Sequence, residues 1–356
     1  VNRGKQSITV NMKDDRGVDL FCRLLTHADV LLQNLSVGTF DRWGLPLQAM
    51  RTINPNLVVV SISTAGQHGP LNWLRGFASV ATALAGTEAA VRYPDDAVPQ
   101  GHLMFGQGDV CAAEHALLAT LSGLLLRERG AGGSHADVSQ IESVASGLTA
   151  PLLQAQLATK TAEAAEAVGA VGAVGAAQAH TPAPSLHAIF PCAGEDAWVA
   201  ASVDEEAAWI RLGDLVGLHS AVLAPARADA TGVEGHPSSE EEHALLEKAV
   251  STWTRQLDKH ECAARLQAIG VAAAPVLSLE EALAEPHFRE RGAQVAADSV
   301  RTERPIMAIP WHAARPVLRE SDHGPELGAD TAAVLHEWLD MDDATIAELQ
   351  RDGVAW

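Results

Sequence analysis

Residues 57–62 read Leu-Val-Val-Val-Ser-Ile, introduced by Asn54-Pro55-Asn56. The run carries no charge and is too short for a core helix. It does not alternate apolar with polar residues, as a strand with one wet face does. It therefore predicts a strand buried on both faces, and both faces of such a strand are covered when helices flank a parallel sheet.

The neighbouring segments supply those helices. Ser7–Val10 is a short β-type run. Asp14 and Asp15 can cap a helix whose apolar positions Val18, Phe21, Cys22, Leu24 and Leu25 recur at helical spacing. Asp29–Leu32 reads as a strand, Phe40–Met50 as a helix, and Phe77–Leu84 as another. Pro94–Gly101 is a loop rich in Pro, Asp and Gly. Val110–Arg129 is apolar nearly all round, which predicts a buried core helix, and Gly130-Ala131-Gly132-Gly133 stops it. Ala136–Val138 then reads as a strand and Ile141–Leu153 as a helix.

The composition changes at residues 155–179, where a GAV triplet repeats among Ala, Gly and Val. Such a stretch has few large side chains to bury, so it reads as a connector at a domain boundary. The expected organisation is a large α/β domain over 1–154, an Ala/Gly-rich linker over 155–185, a small α+β domain over 186–291 and a C-terminal segment over 292–356. In the small domain, strands Leu186–Phe190 and Trp198–Ser202 flank Gly194-Glu195-Asp196. Helices follow at Glu205–Val216, Glu240–Leu257 and His260–Ala268. From Gly292 the pattern is extended, with Pro305, Pro310 and Pro316, before helices near Ala332–Leu339 and Asp343–Arg351.

Asp and Glu number 45 against 25 Lys and Arg, a formal net charge of −20. A chain this acidic repels phosphate backbones and anionic membrane surfaces, which argues against nucleic-acid and membrane partners. The four cysteines, Cys22, Cys111, Cys192 and Cys262, form no CxxC pair, as expected of free thiols in a reducing compartment. The polar first twenty residues do not resemble a signal peptide, and Glu114 and His115 interrupt the longest apolar stretch. The expectation is a soluble cytoplasmic protein. The histidines are scattered, none at metal-ligand spacing with a cysteine, so no metal is expected.

Asp109 stands out within Gly106-Gln107-Gly108-Asp109-Val110, where glycines meet the apolar helix. A carboxylate at the helix N-cap is favoured by free backbone N–H groups and the helix dipole. It can serve only as a cap, or it can be an ionised nucleophile able to attack an acyl carbon.

A series of short motifs bears on that choice. Asn2-Arg3-Gly4-Lys5-Gln6-Ser7-Ile8 is similar to the NRGKRSI opening of the class III CoA-transferases, the family of formyl-CoA and carnitine CoA-transferases. Gln33-Asn34-Leu35 through Gly38 and Asp41-Arg42-Trp43-Gly44 resemble that family's ENF and DR-x-G segments. Asn54–Val58 and Ser61–Pro70 resemble its NPRLV and SISGFGQ-x-GP runs. Gly108-Asp109, Arg127–Val138, Trp253-Thr254, Gly270–Val276 and Glu285–Gly292 continue the likeness in order along nearly the whole chain.

The resemblance implies a Rossmann-like large domain that binds CoA, a smaller domain, and a C-terminal segment returning to the large one. It also implies an interlocked homodimer. The implied substrates are an acyl-CoA thioester and a carboxylic acid, with no permanently bound cofactor. Asp109 matches the nucleophile, which forms a mixed anhydride and then an aspartyl thioester with CoA. Lys5, Asn34, Leu35, Arg42, Arg75 and Gln140 fall where the family lines its CoA site. Gly66–Leu74 and Gln100–Gly106 are expected to form the pocket wall. The family's first strand–turn–helix has no counterpart here, which implies a fragment, a processed chain or half of a two-copy protein. Two alternatives are an acyl-CoA racemase or isomerase of the same fold and a non-catalytic half of a larger CoA-transferase. The racemase motif Gly-His-Asp reads Gly76-Phe77-Ala78 here, without the required acid and base.

Overall fold

The parallel sheet predicted from residues 57–62 is present in the computed structural model. It describes residues 2–90, 106–149, 153, 186–218, 240–295, 306–308, 310, 312 and 324–356. The chain divides into two compact units, Val1–Ala177 with Val295–Trp356, and Gln178–Gln294. The Pro94–Gly101 loop, the GAV-repeat linker, and Pro305 and Pro316 lie outside the described residues.

In the first unit, β1 (Val30–Gln33), β2 (Val58–Ser63) and β3 (His135–Ser139) form a parallel sheet in the order β1-β2-β3. Parallel neighbours need crossover connections. The first runs through α2 (Thr39–Arg42) and α3 (Leu47–Ile53). The second runs through α4 (Ala78–Ala85), α5 (Thr87–Ala90) and α6 (Gln107–Leu126). β2 is buried on both faces, as its composition demands. Leu57 and Val59 pack with Leu25, Leu45 and Met50 on one side, and Val58 and Val60 pack with Ala112, Ala116 and Val138 on the other.

The Asn54-Pro55-Asn56 turn does more than precede β2. The preceding helix, α1 (Asp15–His27), is capped by the Asp14 carboxylate, which accepts from Arg16 N. Its last carbonyls lack helical partners. The Asn54 side-chain amide donates to Leu25 O and Ala28 O, at 2.9 Å each, and so ties the end of α1 to the start of β2.

Several expectations are corrected. Phe40–Met50 is two helices, because Gly44 adopts φ 73 and ends α2, and Pro46 serves as the N-cap of α3. Ser7–Val10 forms no strand beyond one antiparallel bridge between Val10 and Ala355. The helix expected over Ile141–Leu153 is α7, Gln140–Ser146, closed by Gly147. Residues 127–129, expected as the end of the core helix, belong to a π turn over Arg127–Ala131, in which Gly130, part of the expected stop, takes φ 87. The largest difference concerns α6. Its buried residues are Gly108, Ala112, Ala116 and Gly123, whereas Val110, Leu117, Leu118, Leu121, Leu125 and Leu126 are exposed. Overall apolarity did not make this a fully buried helix, because only its small-residue face meets the sheet.

The C-terminal helices Thr331–Leu339 and Asp343–Arg351 belong to the first unit. Leu335, Ile346 and Leu349 bury against Leu20 of α1. Backbone from both ends of the sequence meets there: Asp330 accepts from Ser7 N, and Trp356 O accepts from the Thr9 hydroxyl.

The second unit has antiparallel strands β4 (Leu186–Pro191), β5 (Trp198–Val203) and β6 (Ala272–Pro275) in the order β4-β5-β6. Phe190, Val199 and Val203 bury against Trp209 and Leu212 of the helix Glu206–Leu215, Leu246 of Glu240–Thr254, and Leu266 of Lys259–Ala268. Lys259 is buried, and its ammonium reaches Val276 O at 3.0 Å and the Glu281 carboxylate at 2.8 Å. Glu281 also closes a capping box with Ser278.

The Lys259 ammonium, joined by the Ser278 backbone N–H, holds the Glu281 carboxyl down to about 2. Its stabilisation is complete above the unfolded value of ~4.3 and is lost as pH falls toward the folded value. A carbon-detected titration should place the Glu281 midpoint near 2. In Lys259→Met it should rise toward ~4.3. An ordinary midpoint in the unsubstituted protein would refute the ion pair.

Candidate active site

The carboxyl ends of all three parallel strands open onto one cleft of about 620 Å³. Asn34 and Leu35 follow β1, Ser63 and Thr64 close β2, and Gln140 follows β3. Ligand sites in open parallel sheets lie at this end of the strands. Ser36, Arg42, Asn72, Arg75 and Asp109 complete the polar lining.

Asp109 is not the N-cap of α6, as expected. Gly106 takes that position with φ 66, and Asp109 lies in the first turn. The two glycines before Asp109 solve different packing problems. A Cβ on Gly106 would lie 3.2 Å from the Asp109 carboxylate, and one on Gly108 would lie 3.1 Å from Ala81 Cβ and 3.2 Å from Ala78 O of α4. Gly106 leaves room for the carboxylate and Gly108 lets the backbone approach α4. A first-turn carboxylate is still favoured by the helix dipole.

Gln140 Nε2 donates to Asp109 Oδ1 at 2.6 Å. An ionised carboxylate only accepts, so the amide nitrogen must be the atom facing it. Gln140 is well placed for this contact. Ser139 caps α7 by accepting from Glu142 N, and Ile141 N donates to Thr64 O, so the β3–α7 junction is fixed to the end of β2.

Arg42 is tucked against its own turn, with Nη2 donating to Thr39 Oγ1 at 2.7 Å. Among the described residues neither Arg42 nor Arg75 has an acidic partner within ion-pair range. Both cations are available to an anionic ligand. Lys5 does not line the cleft, and its ammonium donates instead to Asn2 Oδ1 at 3.0 Å. Of the expected wall, Asn72, Trp73 and Leu74 line the cleft, whereas residues 100–105 lie outside the described residues.

Three features escaped the sequence reading. Phe77, 86% exposed, lines the cleft beyond the expected wall and, with Trp73 of that wall, flanks Arg75. The Ser63 hydroxyl, at the end of β2, is buried with no hydrogen-bond partner among the described residues. Asp137 of β3 accepts twice from Gln67 N, at 2.9 and 2.8 Å, and so holds the turn after β2 in place. Gly66, with φ 86, makes that turn possible. An exposed aromatic and an acid within a short strand have no one-dimensional signature. Among the described residues, no group of three or more His, Cys, Asp or Glu side chains is placed to hold a metal ion. Chemically, the cleft offers one carboxylate, two cations and flat apolar faces.

The chain resembles known proteins in both sequence and fold. The sequence profile of CoA-transferase family III matches residues 1–331. The succinyl-CoA–D-citramalate CoA-transferase of Chloroflexus aurantiacus is 27% identical over 350 residues, 98% of this chain and 82% of that protein. The succinyl-CoA–L-malate CoA-transferase beta subunit of the same organism is 26% identical over 353 residues, with the same coverage of 98% and 82%. The crystal structure of a CAIB/BAIF family protein from Brucella suis has the same fold. It superposes with a TM-score of 0.76 at 24% identity, covering 95% of this chain and 82% of that one.

Asp137→Ala removes both acceptors for Gln67 N. Hydrogen exchange across residues 64–68 should then accelerate about 10-fold, the equivalent of one charge-assisted hydrogen bond. Unchanged exchange would show that the turn is held by other contacts.

Proposed function

Because this chain belongs to CoA-transferase family III, and is thereby a CoA-transferase, we propose that it works through a covalent thioester on Asp109. The observation that carries this reading is the Asp109 carboxylate in the first turn of α6, facing a cleft that also holds Arg42 and Arg75.

Asp109 attacks the carbonyl carbon of the donor thioester. A C–O bond forms, the C–S bond breaks, and CoA thiolate leaves a mixed anhydride. The thiolate attacks the aspartyl carbon, expelling the donor acid as its carboxylate and leaving an aspartyl thioester. The acceptor carboxylate displaces the thiolate from that carbon, and the thiolate then attacks the acceptor's acyl carbon. Acceptor acyl-CoA and free Asp109 result. Arg42 and Arg75 offer charge-assisted bonds to CoA phosphates, and Asn34, Leu35 and Gln140 line the same space. Lys5 reaches CoA in this reading only if ligand binding releases it from Asn2. Trp73 and Phe77 provide faces against which an adenine ring can stack.

An interlocked homodimer in the cytoplasm completes the reading. Its support is the exposed stripe Leu117, Leu118, Leu121 and Leu125 on α6, a surface suited to a second copy. A hetero-oligomer is the second reading, favoured by the relative named as a beta subunit.

Incubation with a panel of acyl-CoA esters should give a CoA-sized, hydroxylamine-sensitive adduct on the Asp109 peptide, absent in Asp109→Ala. An adduct that survives the substitution would overturn the mechanism. Sedimentation of the purified chain should give a dimer. A monomer that labels with CoA would remove the homodimer from the reading, and a monomer that does not would move the search to a partner subunit.

A further inference from the structure

We propose that Gln140 is the oxyanion donor for attack at the aspartyl carbon, and not simply part of the CoA wall that the family resemblance implied. The inference rests on the aspartyl-thioester reading above. Its basis is the 2.6 Å bond from Gln140 Nε2 to Asp109 Oδ1.

The catalytic carboxylate has two opposed tasks. In the outer steps one of its oxygens is the nucleophile. In the inner steps its carbon is the electrophile, attacked first by CoA thiolate and then by the acceptor carboxylate. During each attack on that carbon, the oxygen not joined to the substrate gathers the negative charge of the tetrahedral state. With Gln140 bound to Oδ1, Oδ2 is left to attack the donor. The N–H group then lies against the oxygen on which charge develops in both inner steps. A donor aimed at developing charge lowers the barrier because its bond strengthens in the transition state.

The chemistry of the donor matters as much as its position. An Arg or Lys on Asp109 would hold the carboxylate in a strong ion pair and weaken it as a nucleophile. Among the described residues no cation pairs with Asp109, and Gln140 is the side chain that donates to it. A neutral amide keeps the resting carboxylate reactive and still stabilises the oxyanion. The fixed β3–α7 junction means that the side chain is presented before substrate arrives.

The test compares Gln140→Leu and Gln140→Glu with the unsubstituted enzyme. Gln140→Leu keeps the bulk and removes the donor. Its turnover should fall ~100-fold, the usual cost of one oxyanion donor. The dissociation constant for CoA, read by calorimetry, should stay within about threefold, because binding and chemistry are separable. Gln140→Glu places a second carboxyl against Asp109, so the two share a proton at low pH and repel above it. Its turnover should be highest at acidic pH, where the protonated Glu can donate, and fall as pH rises. The unsubstituted enzyme should show no such limb. Unchanged turnover in Gln140→Leu, a loss confined to CoA binding, or a wild-type-like pH profile in Gln140→Glu would each overturn the assignment. If the unsubstituted chain forms no adduct at Asp109 with any ester, the thioester reading fails and takes this assignment with it. An adduct in the unsubstituted chain together with full activity in Gln140→Leu would sink the role of Gln140 alone.

Discussion

The backbone of α6 lies close to α4 and to β2 because the face it turns toward them is built from Gly108, Ala112, Ala116 and Gly123. A Cβ on Gly123 would come 2.7 Å from Val58 Cγ1 and from Ser134 Oγ, and one on Gly108 would crowd Ala78 and Ala81. Neither gap admits a methyl group without movement of a packed neighbour. The approach is therefore fixed at both ends of the helix, and with it the position of the first turn. Asp109 reaches the strand ends as a consequence of packing along the whole of α6. The same small-residue face explains the stranded leucines: with the close contact taken by glycine and alanine, the large side chains project from the other side.

The remaining parts of the cleft depend on the sheet in a similar way. β2 lies at its centre with both faces buried, and the turn that leaves it is held by Asp137 and by the bond from Ile141 N to Thr64 O. Arg42 comes from the connection after β1, where Gly38 takes φ 73 and a Cβ on it would lie 3.5 Å from the guanidinium. In a chain of net charge −20, an anionic ligand meets repulsion over most of the surface. Salt confines that repulsion to about 8–10 Å. Two arginines in the cleft, without acidic partners among the described residues, make it a local exception to that repulsion.

The elements of the sheet were legible because their signals are local. An uncharged run between Asn-Pro-Asn and a glycine-bearing turn gives β2, and Asp14 gives the start of α1. The cleft was legible in part through family resemblance, since Asn34, Leu35, Arg42, Arg75, Asp109 and Gln140 all line it. The errors have physical causes. Phe40–Met50 shows helical spacing, yet the left-handed Gly44 divides it. Gly106 and Gly108 could each have preceded a cap, and only the backbone shows that Gly106 is the non-helical one. Apolar composition says how much surface a helix must hide but not what hides it, so α6 looked like a core helix. The Gln140–Asp109 and Asp137–Gln67 bonds join residues far apart in sequence, and no spacing rule reports them.

Asp109 and the exposed leucines share one rigid element, and this bears on the chemistry proposed for the site. The exposed stripe begins at Val110, adjacent to the carboxylate, and continues through Leu117 and Leu121 at helical spacing. A helix rises 1.5 Å per residue, so Leu117 stands only about 12 Å along the axis from Asp109. A mixed anhydride is readily hydrolysed, and a transferase that forms one must keep water from it while the thiolate turns. A second chain laid over this stripe would cover apolar surface on the same helix whose first turn holds Asp109. Under the proposed homodimer, the contact with the second copy would rest on the helix that carries Asp109, so a shift of that contact would be carried along one rigid element to the carboxylate.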